Sequence, residues 1–171
     1  AAEKEMGEIL YSKLGRPEET IQHYQQLLAR PTTAGRKDVP EMLFRIGRSY
    51  FQLWRFDDAV DVFSRITQDH QDSPWAEKAR FEIAGAYFTH GEKGGSYQKA
   101  LQGYERFIAL YPQSVLVPQA RFGIASSLAE MDRLQESYDE FEKLRGIYPA
   151  PGVIEVKLAR LRDRILKRKG I

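Results

Sequence analysis

The chain has no cysteine, few histidines and no long apolar run, and each shortage excludes a class of site. Without cysteine there are no disulfides, thiolate metal ligands or cysteine nucleophiles. The three histidines, His23, His70 and His90, have neither a histidine nor a carboxylate four residues later. We therefore predict no metal and no cofactor. No run of about 18 apolar residues is present, so no membrane-spanning helix is predicted.

Charge and loop composition also argue against phosphate ligands. Lysine and arginine number 26 against 24 acidic residues, which gives a net charge of +2 and no general attraction to nucleic acid. Residues 160–169 form a basic stretch without aromatic residues, which could touch phosphates or simply complement a helix dipole. The glycine-rich stretch 91–96 lacks the Gly-Lys-Ser ending of a phosphate-binding loop. We expect it to be a surface turn, and we expect no nucleic-acid partner.

What the chain does contain is a repeat. A small residue is followed four positions later by an aromatic one, at starting positions spaced 39, 41 and 37 residues apart. A step of four places both residues on one face of a helix. The pairs are Thr20–Tyr24, Ala59–Phe63, Ala100–Tyr104 and Ser137–Phe141.

The repeat predicts an all-α solenoid of four helical hairpins. In each hairpin the first, or A, helix precedes the B helix that carries the pair. The predicted helices are 2–14 with 17–30, 40–53 with 56–69, 75–89 with 97–111, and 115–130 with 134–148. Tyr111-Pro112 and Tyr148-Pro149 are expected to close two of the B helices. From residue 153 onward, Ile154, Leu158, Leu161 and Ile165 share one face of a ninth helix, predicted over 152–168, that caps the stack.

These positions resemble the tetratricopeptide repeat family, whose repeat is usually about 34 residues long. Leu43, Ile46, Gly47 and Tyr50 followed by Ala59 and Phe63 match that family's large, small and aromatic positions. Departures are the longer period, Ser137 in hairpin 4, and Glu8 where hairpin 1 should have its small residue. The resemblance implies a right-handed superhelix whose A helices line a concave groove. The repeat units are predicted at 1–31, 40–72, 74–112 and 115–149, within one domain spanning residues 1–171.

Two inter-repeat segments, 72–81 and 111–114, are similar to the bacterial envelope branch of that family. The branch includes the lipoprotein of the outer-membrane protein assembly machine and the periplasmic partner of the Tol–Pal system. The similarity favours the periplasm or envelope over the cytoplasm. Because the chain opens directly in helical sequence, we expect a fragment of a longer protein.

The candidate partner groove lies on the A helices, about 120° from their core-facing stripe. Its residues are Phe44, Arg48, Phe51, Lys78, Phe81, Phe88, Gln119 and Phe122. Phenylalanines in this row could anchor a peptide or protein partner. They could equally fill contacts between neighbouring A helices, and the polar residues could be solvated surface.

The predicted function is a non-enzymatic protein-binding scaffold, with no catalytic residues. A chaperone-tail adaptor is not expected, because the carboxylate clamp of such family members uses an asparagine and this chain has none. The alternative is a regulatory or assembly segment of a larger enzyme or multidomain protein. Self-association through exposed helices also remains open, and the sequence does not identify the partner or the role of the 31–40 and 91–96 loops.

Overall fold

A computed structural model describes residues 2–33, 35–91 and 96–170, and every regular element in these ranges is helical. A π-helix, Ile9–Lys13, continues the first α-helix, and a short 3-10 helix, Pro31–Thr33, follows the second. The α-helices of the described ranges are α1 (Ala2–Glu8), α2 (Pro17–Leu28), α3 (Val39–Gln52), α4 (Phe56–Asp69), α5 (Pro74–His90), α6 (Ser96–Leu110), α7 (Val117–Glu130), α8 (Leu134–Glu142) and α9 (Pro151–Arg168). The all-α prediction is confirmed. When the π-helix Ile9–Lys13 is counted with α1, all helices but α8 begin and end within two residues of their predicted bounds.

The chain divides into two compact units, Ala1–Ala86 and Tyr87–Ile171, and the boundary falls within α5. The first unit is centred on side chains of α2, α3 and α4: Tyr24, Met42, Leu43, Ile46, Phe63 and Ile66. A core of the second joins α7, α8 and α9 and contains Phe141, Leu144, Ile154, Leu158 and Leu161. The single repeat domain and its unit boundaries stay a prediction. The surface turn predicted at 91–96 includes residues 92–95, which lie outside the described residues.

Glycine and an aromatic ring interlock at two helix contacts, one within hairpin 2 and one between hairpins 3 and 4. A Cβ atom added to Gly47 of α3 would lie 2.5 Å from Cε1 of Phe63 in α4. At Gly123 of α7 the distance to Cε2 of Tyr104 in α6 would be 2.3 Å. Both rings are buried. The rings therefore occupy the space that a larger residue than glycine would need, so neither position has room for a side chain.

Hairpin 1 has the same interlock one residue earlier than the sequence pattern suggests. A Cβ atom on Gly7 would lie 2.4 Å from Cζ of Tyr24, so Gly7 rather than Glu8 is the small residue. The shift arises from the π-helix Ile9–Lys13, because a π turn accommodates one extra residue. Consequently Gly7 precedes Tyr11 by four positions, whereas Gly47 precedes Tyr50 by three.

The predicted end of α8 was wrong. The helix ends at Glu142 instead of 148, and the next residues form three-residue turns, with hydrogen bonds such as Leu144 N–H to Phe141 O at 3.0 Å. Gly146 then takes a left-handed conformation with φ of 76°. That conformation is open to glycine but ends an α-helix, so Tyr148-Pro149 does not close α8. Leu144 is nevertheless fully buried, because the turns fold it back into the core.

Helix α9 covers the end of hairpin 4, as predicted. Ile154, Leu158 and Leu161 are buried against α8 and its following turn. Farther along α9, both Arg164 and Arg168 form ion pairs with the Asp132 carboxylate in the turn between α7 and α8.

The turn between α3 and α4 places a tryptophan in a left-handed backbone conformation. Trp54 has φ of 60° and is 75% exposed. The corresponding turn residues of hairpins 1 and 4 are Gly15 and Asp132, with φ of 58° and 61°. Glycine adopts this conformation freely, and Asp132 is held by its ion pairs to α9. The Trp54 ring meets the Phe56 ring edge to face, with the centroids 5.8 Å apart.

We expect Trp54→Gly to be more stable than Trp54→Ala by about 1 kcal/mol. Both changes remove the same indole, so the comparison isolates the backbone strain, which alanine keeps and glycine relieves. Chemical denaturation of the two variants measures the difference. Equal stabilities, or a more stable alanine variant, would show that the turn is not strained at this position.

Candidate protein-binding surface

The aromatic rings predicted to line the groove in the first unit pack against their own hairpins. The ring of Phe44 on α3 lies 5.4 Å from the Phe63 ring and 4.9 Å from the Trp75 ring. Phe51, at the end of α3, meets Phe56 edge to face with centroids 5.3 Å apart. Phe44 and Phe51 are half-buried, so each uses part of its surface for packing and leaves part of it accessible.

Arg48 of α3 is bound to α5. Its guanidinium Nη1 lies 2.8 Å from a carboxylate oxygen of Glu82, and its Cζ lies 5.5 Å above the ring centroid of Phe51. Burial opposes the charged form of Arg48, but Glu82 and Tyr11 together favour it, and the net result is a pKa of Arg48 above its ordinary value. Arg48 therefore joins two A helices as a permanent cation.

Lys78 is the exposed member of the set on α5. Its Nζ lies 4.6 Å from the ring centroid of Trp75, a cation–π contact that leaves the ammonium group hydrated. Phe81, one turn later on the same helix, is half-buried. The structure thus brings Phe44 and Lys78 together through Trp75, and Arg48 contacts the same helix, α5, through Glu82.

Phe88, Gln119 and Phe122 belong to the second unit. Phe122 is stacked on Tyr148 at 5.0 Å and meets Phe141 edge to face at 5.2 Å. Phe88 lies 5.7 Å from Tyr97, near the start of α6. The side-chain oxygen of Gln119 is buried and accepts no hydrogen bond from any residue that the structure describes.

Sequence reasoning missed two residues of the first unit's surface, Glu82 and Trp75. The Arg48–Glu82 ion pair spans 34 residues, close to one repeat. This spacing could have indicated that the two residues occupy similar positions on neighbouring A helices. Trp75 lies in the 72–81 segment that carries the envelope resemblance, but its role as the common neighbour of Phe44 and Lys78 depends on tertiary packing.

The second unit also contains a cavity of about 210 Å³ between α7 and α9. Its lining includes the half-buried Phe88, the buried Phe141 and Leu161, and Lys157, Arg160 and Arg164 of α9. Of the residues predicted for the groove, Phe88 lines this cavity directly, and Phe122 lies beneath Lys157, whose Nζ is 5.7 Å from its ring centroid. Phe122 thus positions one of the cations at the cavity.

Residues 2–33, 35–91 and 96–170 contain no group of three or more histidine, cysteine, aspartate or glutamate side chains placed to hold a metal ion. Over the same ranges, the helices all lack the combination of length and apolarity needed to cross a membrane.

Comparison with known families identifies the chain. The sequence profile of the family described as "YfiO: Outer membrane lipoprotein" matches residues 36–150. The chain belongs to this family. Membership in the YfiO family confirms the resemblance to the bacterial envelope branch of the tetratricopeptide repeats.

A relative of this YfiO family chain is the outer membrane protein assembly factor BamD of Caulobacter vibrioides. The two are 24% identical over 134 residues, which cover 78% of this chain and 39% of BamD. The chain therefore spans about two fifths of the length of that curated relative.

Solved structures with the same fold include a Podosopora anserina putative kinesin light chain with nearly identical TPR-like repeats. It has a TM-score of 0.72 at 16% identity, and the match covers 99% of this chain and 88% of that one. A crystal structure of MamA has the same TM-score of 0.72 at 19% identity, with 96% and 84% covered. At these identities the likeness shows the fold alone, and it confirms the TPR-like assignment of this YfiO family chain.

Proposed function

We propose that the chain is a non-catalytic protein-binding scaffold of outer-membrane protein assembly in the bacterial envelope. The observation that carries the proposal is the YfiO family match over residues 36–150 on a TPR-like fold. The name of the Caulobacter vibrioides relative, an outer membrane protein assembly factor, supplies the process. Because the chain covers 39% of that relative, the proposal concerns only the partners that bind this segment.

The proposed contact surface in the first unit is the exposed side of α3 and α5. Phe44, Phe51 and Phe81 are half-buried, so a partner would meet the accessible part of each ring. Arg48 is fixed by Glu82 and supplies an oriented guanidinium, while Lys78 supplies a mobile charge beside them. Partly buried aromatic rings surrounded by polar and charged side chains are typical of the residues that contribute most of the binding energy in protein interfaces.

In the second unit the proposed contacts are Phe88, Phe122 and Gln119. Gln119 is half-buried and its side-chain oxygen is inaccessible, so a partner would meet only the remaining part of its side chain. Phe122 is too deeply engaged with Phe141 and Tyr148 for its removal to test binding alone.

We test the proposal with Lys78→Glu, with Lys99→Glu as the matched control. Both lysines are exposed and lie over an aromatic ring, Lys78 over Trp75 at 4.6 Å and Lys99 over Tyr87 at 5.4 Å. Only Lys78 lies on the proposed surface, since Lys99 belongs to the B helix α6. The tagged full-length protein is cross-linked in its own cells and the captured proteins are identified by mass spectrometry.

We expect the wild type and Lys99→Glu to capture components of the outer-membrane protein assembly machinery, and Lys78→Glu to capture about tenfold less. Failure of the wild type to capture any such component would contradict the assembly function. Equal capture by both variants would leave that function standing but remove the α3–α5 surface from it.

A further inference from the structure

The positive charge of the chain is concentrated in α9. Residues 151–169, which are α9 and the residue after it, contain seven basic and two acidic side chains. The rest of the chain contains 19 basic and 22 acidic ones, so this helix alone makes the net charge positive. Charge collected on one element in this way attracts ligands of the opposite sign to that element.

Five of the cations lie along one side of the helix. At 100° per residue they fall within roughly a third of the helix circumference, and the row is about 16 Å long at 1.5 Å per residue. The two carboxylates of α9, Glu155 and Asp163, lie outside this arc. One anionic surface can therefore meet the whole row. The members of this basic stripe are Lys157, Arg160, Arg164, Lys167 and Arg168.

The ion pairs of the basic stripe are exposed to solvent. The Asp132 carboxylate contacts both Arg164 and Arg168, and Nζ of Lys167 lies 3.1 Å from an oxygen of Asp163. The side chains of Arg164, Arg168 and Lys167 are 50%, 61% and 77% exposed. Exposed ion pairs contribute little to stability, so these cations can exchange their partners for an anionic ligand at little cost.

The other two cations of the stripe, Lys157 and Arg160, form no ion pair within the part of the chain that the structure describes. Arg160 is exposed, and Lys157 is half-buried over the Phe122 ring. Glu130 of α7 lines the same cavity as these two residues and adds one carboxylate to this neighbourhood. With Asp132 and Asp163 included, three carboxylates accompany five cations, and the stripe keeps an excess of positive charge.

Exposed apolar side chains accompany the stripe at the start of α9. Val153 lies within the same arc of the helix and Val156 lies at its edge, and they are 42% and 51% exposed. Cations beside exposed apolar groups are typical of a helix that lies on an anionic bilayer surface. Because α9 contains no aromatic residue, it lacks the rings on which single-stranded nucleic acid stacks. The composition therefore favours a lipid surface over nucleic acid.

We propose that the basic stripe of α9 binds anionic phospholipid headgroups at the surface of a bilayer. The arginines donate hydrogen bonds to phosphate oxygens, and Val153 and Val156 enter the headgroup region beside them. The helix lies on the surface and does not cross it. The inference rests on the proposed function in the bacterial envelope, and it adds a lipid contact to the protein contacts of the scaffold.

Co-sedimentation with lipid vesicles tests the proposal. The full-length protein is purified free of any acyl modification, so that sedimentation reports the protein surface alone. It is mixed with vesicles of phosphatidylcholine, or with vesicles in which about a quarter of the lipid is phosphatidylglycerol. We expect the anionic vesicles to bind at least about tenfold more tightly, with a difference that shrinks as salt rises. Equal binding to the two kinds of vesicle would overturn the inference.

Matched variants separate the stripe from a general effect of charge. Arg160→Glu should weaken binding to the anionic vesicles at least about tenfold. Arg106→Glu makes the same charge change at an exposed position of α6 and should leave binding unchanged. Equal losses in the two variants would show that the net charge of the protein, and not the stripe, attracts the vesicles, which would contradict the proposal.

Val156→Ser tests the apolar part of the contact and should weaken vesicle binding about threefold. Val115→Ser, at an 85% exposed position between α6 and α7, is its control and should have no effect. A fluorescein-labelled single-stranded oligonucleotide tests the nucleic-acid alternative by anisotropy. If the oligonucleotide binds as tightly as the vesicles and Val156→Ser changes neither, the stripe is a general polyanion site and the lipid proposal is rejected.

The lipid contact and the scaffold function fail in different ways. Absence of vesicle binding, combined with successful capture of outer-membrane assembly proteins, would reject the lipid contact and leave the scaffold function intact. Vesicle binding that depends on Arg160, without capture of any assembly protein, would support the lipid contact and contradict the assembly function.

Discussion

Gly47→Val should destabilise the first unit by about 3 kcal/mol, because there is no room for a side chain between α3 and α4. A Cβ atom at this position already lies 2.5 Å from Cε1 and 2.8 Å from Cδ1 of Phe63. The Phe63 ring is completely buried, so it cannot swing away into solvent. Valine adds two further methyl groups to that overlap, and its β-branch also lowers helix propensity slightly.

Denaturant unfolding of Gly47→Val, with Gly152→Val as the control, measures this effect. Gly152 is also helical, but a Cβ atom there would meet nothing within 4 Å. Its replacement should therefore change the free energy of unfolding by less than about 1 kcal/mol. Adding Phe63→Ala to Gly47→Val should cost less than the sum of the single changes, because the valine then occupies part of the vacated space. Additive losses would contradict the direct interlock.

Phe141→Ala is the second large expected effect, a loss of about 3–5 kcal/mol from the second unit. Phe141 has no exposed surface and belongs to the cluster that joins α7, α8 and α9. Its ring meets Phe122 edge to face, so the change also removes an aromatic pair. Hydrogen exchange should then show loss of amide protection throughout α7, α8 and α9.

The control for this change is Ile147→Ala. Ile147 lies five residues after the C-terminal end of α8, in the same hairpin. Ile147 is 57% exposed, and its replacement should alter the free energy of unfolding by less than about 0.5 kcal/mol. If Phe141→Ala were equally mild, the α7–α9 cluster would not be the core of the second unit.

The repeat pattern predicted those parts of the fold that depend on a single helix face. Ala59 and Phe63, four residues apart, identified the buried side of α4, and both residues are completely buried. Helix bounds followed from the same periodicity because a helix repeats its environment every turn. The early end of α8 was not predicted, since it depends on Gly146 and on turns that fold Leu144 back into the core.

The candidate site was less accessible to sequence reasoning, because its properties arise from pairs of residues on different helices. Periodicity marked Phe44 and Arg48 as flanking the core stripe, but it did not indicate that Trp75 and Glu82 would meet them. The basic stretch 160–169 was recognised by composition. That Arg160 and Arg164 face Ser126 across a cavity follows only from the packing of α9 against α7.

The π turn in hairpin 1 has a consequence for how repeats in this family are compared. The π-helix Ile9–Lys13 accommodates one additional residue. Gly7 therefore still meets Tyr24, although it lies one position earlier than the repeat pattern predicts. An alignment that permits gaps only in loops would therefore pair Glu8 with Gly47 and score the hairpin as degenerate. The family profile begins its match at residue 36, after this hairpin. Allowing a one-residue gap within the A helix would bring Gly7 and Tyr24 into register with the other repeats.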